Sequence, residues 1–147
     1  MTMETRTSIL IVDDQPALCE NLRLTLELAG YDVATAGDGI EALDILQRHP
    51  IDLILADIAM PRMDGYQLCE RVREHRQWMR IPFLFLSART TEWEIRYGKS
   101  LGADDYLAKP IEPEELLGCV HQQLDRAQKL ERRIADVTLL GEALERG

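Results

Sequence analysis

Three aspartates, a hydroxyl and a lysine stand where short apolar runs end. Asp13 and Asp14 follow SILIV (8–12), Asp57 follows LILA (53–56), Ser87 follows FLFL (83–86) and Lys109 follows YLA (106–108). If those runs are strands of one parallel sheet, the five groups share one edge. Carboxylates with ordinary pKa values near 4 are ionised at neutral pH. Two of them ~4 Å apart repel by about 4 kcal/mol at an effective dielectric of 20. One lysine cannot neutralise three acids, so a divalent cation is the natural partner. Mg2+ (or Mn2+) suits the site, because a hard cation takes one or two carboxylates and keeps other positions for water and phosphate. With the charge met, a carboxylate oxygen can attack an electrophilic phosphorus, while the metal, the lysine and the hydroxyl stabilise the equatorial oxygens. The expected chemistry is an aspartyl phosphate.

The chain alternates strands and helices in a way that would bring these groups together. The run 8–12 is followed by Gln15-Pro16, with proline at a tolerated first helical position, and by Leu18, Leu22, Leu26 and Ala29 on one helical face before Gly30. Residues 31–36 read as a second strand. Residues 39–48 read as a helix with Ile40, Leu43 and Leu46 inward. After the third strand, Asp64-Gly65 opens a helix carrying Leu68, Cys69 and Val72. Trp93, Tyr97 and Leu101 mark a fourth helix, and Pro113 begins a long last one. Five strand–helix repeats imply a doubly wound parallel sheet with helices on both faces and right-handed crossovers, most simply of order 2-1-3-4-5. In that order the strand sequence reverses between strands one and three, where such sheets bind ligands.

Composition sets the class. The 147 residues are 46% hydrophobic and 29% charged, which suits one domain of ordinary size with a buried core. No run approaches the ~20 apolar residues of a bilayer span, and residues 1–7 are too polar for a signal peptide. The net charge of −9 argues against a nucleic-acid surface. Cys19, Cys69 and Cys119 match neither a disulfide framework nor a metal motif, so a reducing, cytoplasmic compartment is expected. From Asp125 onward five acids face five bases, so the whole acidic surplus lies in residues 1–124.

The segments ILIVDDQP (9–16), DLILADIAMPRMDG (52–65), FLFLSA (83–88) and GADDYLAKP (102–110) closely resemble the receiver domains of two-component response regulators. Together they span nearly all of residues 8–124, in the right order and spacing. The resemblance implies a flavodoxin-like fold and a signalling switch, not a conventional enzyme, that catalyses its own phosphorylation and slow dephosphorylation. It makes Asp57 the phosphoacceptor. Asp14 would bind the metal directly, Asp13 directly or through water, and Ala59 through its backbone carbonyl. Lys109 would pair with the phosphoryl group, its bond to Pro110 cis and its side chain aimed inward. Ser87 would bond the phosphoryl group after modification, and Tyr106 would be the aromatic that follows. Ala59 and Arg89 fall at positions that border the phosphoryl group and tune its lifetime. A sensor histidine kinase or a phosphotransfer protein is the implied partner.

Each residue has a plainer reading. Asp14 could cap a helix, Asp57 could end a strand, Ser87 could cap the next helix, Tyr106 could be a half-buried strand aromatic and Lys109 a solvated lysine. Trp78 and Trp93 read as core or surface aromatics, and His49, His75 and His121 have no metal spacing. A haloacid-dehalogenase-type phosphohydrolase is the rival reading, but it wants an acid two residues after the nucleophile, where Ala59 stands. Beyond the domain at 8–124, residues 125–147 read as a helical extension or linker. Leu116, Val120, Gln123, Ala127, Leu130, Ile134, Val137, Gly141 and Leu144 alternate spacings of four and three, a heptad seam suited to a coiled-coil homodimer. The alternative is that this segment folds back or frays, since Gln123 and Gly141 weaken the seam.

Overall fold

The computed structural model describes residues 6–88 and 91–146. Five strands, β1 (Ser8–Val12), β2 (Asp32–Ala36), β3 (Leu53–Asp57), β4 (Phe83–Ser87) and β5 (Asp105–Ala108), form one sheet of order β2-β1-β3-β4-β5. All four pairings are parallel. The helices between and after them are α1 (Pro16–Leu28), α2 (Gly39–Arg48), α3 (Gly65–Glu74), α4 (Glu92–Ser100) and α5 (Pro113–Arg146).

Side chains alternate across each strand. Ile9, Ile11, Leu53, Leu55, Leu84 and Leu86 therefore meet Leu22 and Leu26 of α1 and Leu116 and Val120 of α5. Leu10, Val12, Ile54, Ala56, Phe83 and Phe85 face the other way, onto Ala42 and Leu46 of α2 and Leu68, Cys69 and Val72 of α3. Strands buried on both faces show no polar alternation, which is why these runs read as continuously apolar. Each fully buried Leu or Ile contributes about 1.5–3 kcal/mol.

Several helix assignments shift in detail. Ile40 is 45% exposed, not inward, because α2 turns Gly39, Ala42 and Leu46 to the core. A Cβ at Gly39 would lie 2.6 Å from Met63 Cγ, so the glycine lets Met63 pack against the start of α2. Ala29 is the exposed C-cap of α1, three residues past its last buried position, Leu26. Of the two tryptophans, Trp78 is core and stacks on His75 at 3.6 Å, whereas Trp93 is 69% exposed. α4 buries only Gly98, against Tyr106.

The last helix is unbroken through its 34 residues, about 51 Å at 1.5 Å per residue. It neither folds back nor frays within the described residues. Leu116, Val120, Gln123 and Leu124 are buried, and beyond them the helix leaves a body whose radius of gyration is about 14 Å. Among the described residues no helix is long and apolar enough to cross a membrane.

Candidate functional site

The carboxyl ends of β1 and β3 lie side by side, with Val12 opposite Ala56. Asp13 therefore sits beside Asp57, and Asp14 follows on the turn into α1. Carboxylate oxygens of Asp13, Asp14 and Asp57 all lie within 4.8 Å of one another. Asp13 and Asp57 are buried and Asp14 is exposed, so the cluster opens to solvent on one side.

Lys109 crosses from the end of β5 to close the cluster. Its Nζ lies 2.9 Å from Asp13 Oδ2 and 3.4 Å from Asp57 Oδ1, and only 17% of its side chain is exposed. The Lys109–Pro110 bond is cis, as expected. Burial opposes the ammonium charge, but the bonds to Asp13 and Asp57 outweigh it and hold the Lys109 pKa above its ordinary value. Burial, then the charge of Asp13, push the Asp57 carboxyl above the usual range, against the pull of Lys109 and the Ile58 amide. Three acids against one cation leave this edge negative. Three hard oxygen ligands in reach of one point fit a divalent ion such as Mg2+.

The backbone around Asp57 is held closely. Its Oδ1 accepts from the Ile58 amide at 2.9 Å. Behind it, the amide of Gly65 donates to the Ile58 carbonyl, and a Cβ at Gly65 would lie 2.2 Å from the Asp57 carbonyl oxygen. Only glycine permits α3 to start so near the acid. Asp64 caps that helix in a capping box with Gln67, a pattern readable as Asp-x-x-Gln. Asp38 and Arg62 were not singled out in the sequence. Asp38 is buried, caps α2 by accepting from the Glu41 amide at 2.9 Å, and binds Arg62 Nε at 2.6 Å. Arg62 takes a left-handed backbone, φ 64°, in the loop that follows Asp57. No sequence signal marks such a conformation at arginine, but aspartate before the helix at 39–48 was a readable cap.

Asp57 does end β3, but the plainer readings of Asp14, Ser87 and Lys109 do not describe their side chains. Asp14 caps nothing: the N-cap of α1 is Gln15, whose amide is bound by Asp13 Oδ1 at 2.9 Å. α4 is capped by Thr91 and not Ser87, which is buried at the end of β4 and accepts from the Lys109 amide through its carbonyl at 2.8 Å. Tyr106 is half-buried on the other face of the sheet, its ring on Phe85 and its hydroxyl donating to the Glu94 carbonyl at 2.6 Å. Ala59 is exposed two residues after Asp57, so no acid occupies the place the phosphohydrolase reading requires. Arg89 lies outside the described residues. All three cysteines are free; burial lifts Cys69 to about 11 and, with a bond to Asp105, Cys119 to about 12.

A family model described as the response regulator receiver domain matches residues 9–121. The alkaline phosphatase synthesis transcriptional regulatory protein PhoP of Bacillus subtilis (strain 168) is 40% identical over 120 residues, covering 82% of this chain and 49% of that protein. The DNA-binding dual master transcriptional regulator RpaA of Synechocystis sp. is 39% identical over 122 residues, covering 83% and 51%. The chain thus spans about half the length of the curated relatives it matches. Among solved structures, the chemotaxis response regulator CheY4 of Vibrio cholerae is 37% identical with a TM-score of 0.77, covering 81% of this chain and 99% of that one.

Proposed function

This chain belongs to the response regulator receiver domain family, and from that premise we propose that it takes a phosphoryl group onto Asp57 from the phosphohistidine of a cognate sensor histidine kinase or phosphotransfer protein. The observation that carries the reading is the buried contact of Asp13 and Asp57 with Lys109, set beside Asp14. Asp57 Oδ1 is held by the Ile58 amide and Lys109, so Oδ2 is the oxygen that forms the new bond to phosphorus. The phosphorus–nitrogen bond of the donor breaks as that bond forms, and the imidazole leaves with the electron pair. Lys109 is placed to follow the charge from the carboxylate onto the phosphoryl oxygens.

Asp13, Asp14, Asp57 and the Ala59 carbonyl would hold Mg2+ (or Mn2+), which when bound supplies positive charge to the carboxylates and the incoming phosphoryl group. Ser87 is the hydroxyl that would bond the modified group, and Tyr106, packed on α4, the side chain that would respond. The exposed Ala59 leaves room for attacking water and so bears on the lifetime of the phosphoryl group, a role shared with Arg89. We take residues 8–124 as the receiver, 125–147 as a helical extension through which two copies associate, and the cytoplasm, with its free thiols, as the compartment. The haloacid-dehalogenase alternative is set aside with its missing acid.

Mass spectrometry after incubation with Mg2+ and a small phosphodonor tests the assignment. One phosphoryl group is expected on the wild type and little on Asp57→Asn. Equal labelling of the two would refute it, as would labelling that persists undiminished in EDTA.

A further inference from the structure

We propose that the outer part of α5 binds a second copy of this chain as a parallel, in-register two-stranded coiled coil, with Arg126 of each helix paired to Glu131 of the other. The inference rests on reading 125–147 as an assembly helix and adds its direction, register and charge pairing.

The helix continues without a break from the core to Arg146. Leu130, Val137 and Leu144 are 51%, 68% and 81% exposed, so the described residues cover this stripe less and less toward its tip. With Ile134 and Gly141 between them, they repeat at spacings of four and three on one side of a straight helix. Taking Leu130, Val137 and Leu144 as d positions puts Ala127, Ile134 and Gly141 at a. A β-branched residue at a with leucine at d favours two parallel strands. Ala127 and Gly141 are small and let the helices approach.

The flanking charges select the direction. Arg126 and Arg133 fall at g, Glu131 at e. In a parallel pair, each g residue faces the e residue five positions on in the other helix, which sets Arg126 opposite Glu131 and Arg133 opposite the neutral Thr138. In an antiparallel pair g faces g, and the arginines oppose one another. On the outer face, Lys129 is bound to Asp125 of its own helix at 3.0 Å. The side chains of Arg126 and Glu131 have no ion pair or hydrogen bond with any described residue of the chain. Arg132 and Asp136 on the outer face are likewise unpaired, so it is the g and e positions of Arg126 and Glu131 beside the seam that make them the pair a second helix would meet. Leu139 lies on the outer face and takes no part.

Sedimentation of the full chain, with and without beryllium fluoride, reads association, and oxidative cross-linking reads direction. Val137→Cys should form a disulfide-linked dimer efficiently, because an in-register parallel pair sets residue 137 against itself; Lys129→Cys on the outer face should not. Arg126→Glu and Glu131→Arg should each weaken the dimer about tenfold, as expected for two partly exposed pairs turned repulsive. Mixing the two variants should restore it, since every cross-pair is then attractive. Dimers in which Val137→Cys links no better than Lys129→Cys would overturn the parallel register while leaving the assembly reading intact. A monomer at high concentration in both states would overturn both.

Discussion

Lys109→Met keeps most of the side-chain volume and removes the one cation paired with Asp13 and Asp57 among the described residues. At an effective dielectric of 20, separations of 2.9 and 3.4 Å correspond to gross attractions of about 5.7 and 4.9 kcal/mol. The net loss is smaller, because the lysine is itself desolvated and because the cluster can relieve itself by taking up a proton. That second route sets a ceiling. Protonating one carboxylate of ordinary pKa costs about 1.4 kcal/mol per pH unit above it, so about 5 kcal/mol at pH 7.5 and about 2 at pH 5.5. Breaking a buried pair by removing one partner lies within that range, at about 3–5 kcal/mol. The expected destabilisation is therefore about 3 kcal/mol at pH 7.5, falling to about 2 or less at pH 5.5. The sign follows from linkage: without the lysine the folded state holds a proton that the unfolded chain has lost, so the variant loses stability as pH rises. Urea unfolding of wild type and variant in EDTA at the two pH values measures both quantities, with unchanged slopes as the check on two-state behaviour. A loss under about 1 kcal/mol at pH 7.5, or a larger loss at pH 5.5 than at pH 7.5, would refute the electrostatic account.

Asp57→Asn should raise the metal-free melting temperature by about 3 °C at pH 8; since burial raises the folded pKa of Asp57, this advantage should vanish as pH falls through that value. Gly65→Ala should destabilise by about 2–3 kcal/mol in denaturant titrations, because its Cβ meets backbone at 2.2 Å, and should slow labelling of Asp57. Asp38→Ala should lose about 1–2 kcal/mol through its cap on α2. The Glu41 amide, against the effect of burial, and then Arg62 hold the Asp38 pKa down, so the difference measured by urea unfolding should persist above pH 4 and shrink below it. Gly98→Ala would place a Cβ 2.5 Å from the Tyr106 hydroxyl and should drive that ring off α4, visible as shifts of the Tyr106 ring resonances.

The strand order and the acid cluster were legible because each depends on short, strong patterns. LILAD and SILIVDD put a charge directly after a run that only a doubly covered strand tolerates. The errors fell on helices, where periodicity alone does not say which side faces in. Ile40 faces out while Gly39 and Ala42 face in, with Met63 from a distant loop packed on Gly39, a contact that periodicity does not reveal. The support of the site was less visible than its chemistry. Asp38 and Arg62 are 24 residues apart, and what joins them is a left-handed arginine that no local preference announces. Gly65 read as a helix start, whereas its contact with the Asp57 carbonyl depends on how α3 is seated.

The unbroken course of α5 gears its far end to the sheet. Leu116, Val120 and Leu124 fix the helix in the core, and no break separates them from Arg146. Each residue advances a helix by about 1.5 Å and turns it by about 100°. One residue inserted after Asp125 would thus swing the tip about 100° around the axis, whereas seven would return it to within about 20° and move it about 10 Å outward. The angular setting of the tip is counted out in residues, and a rotation of the helix at Leu116 would be delivered there as rotation.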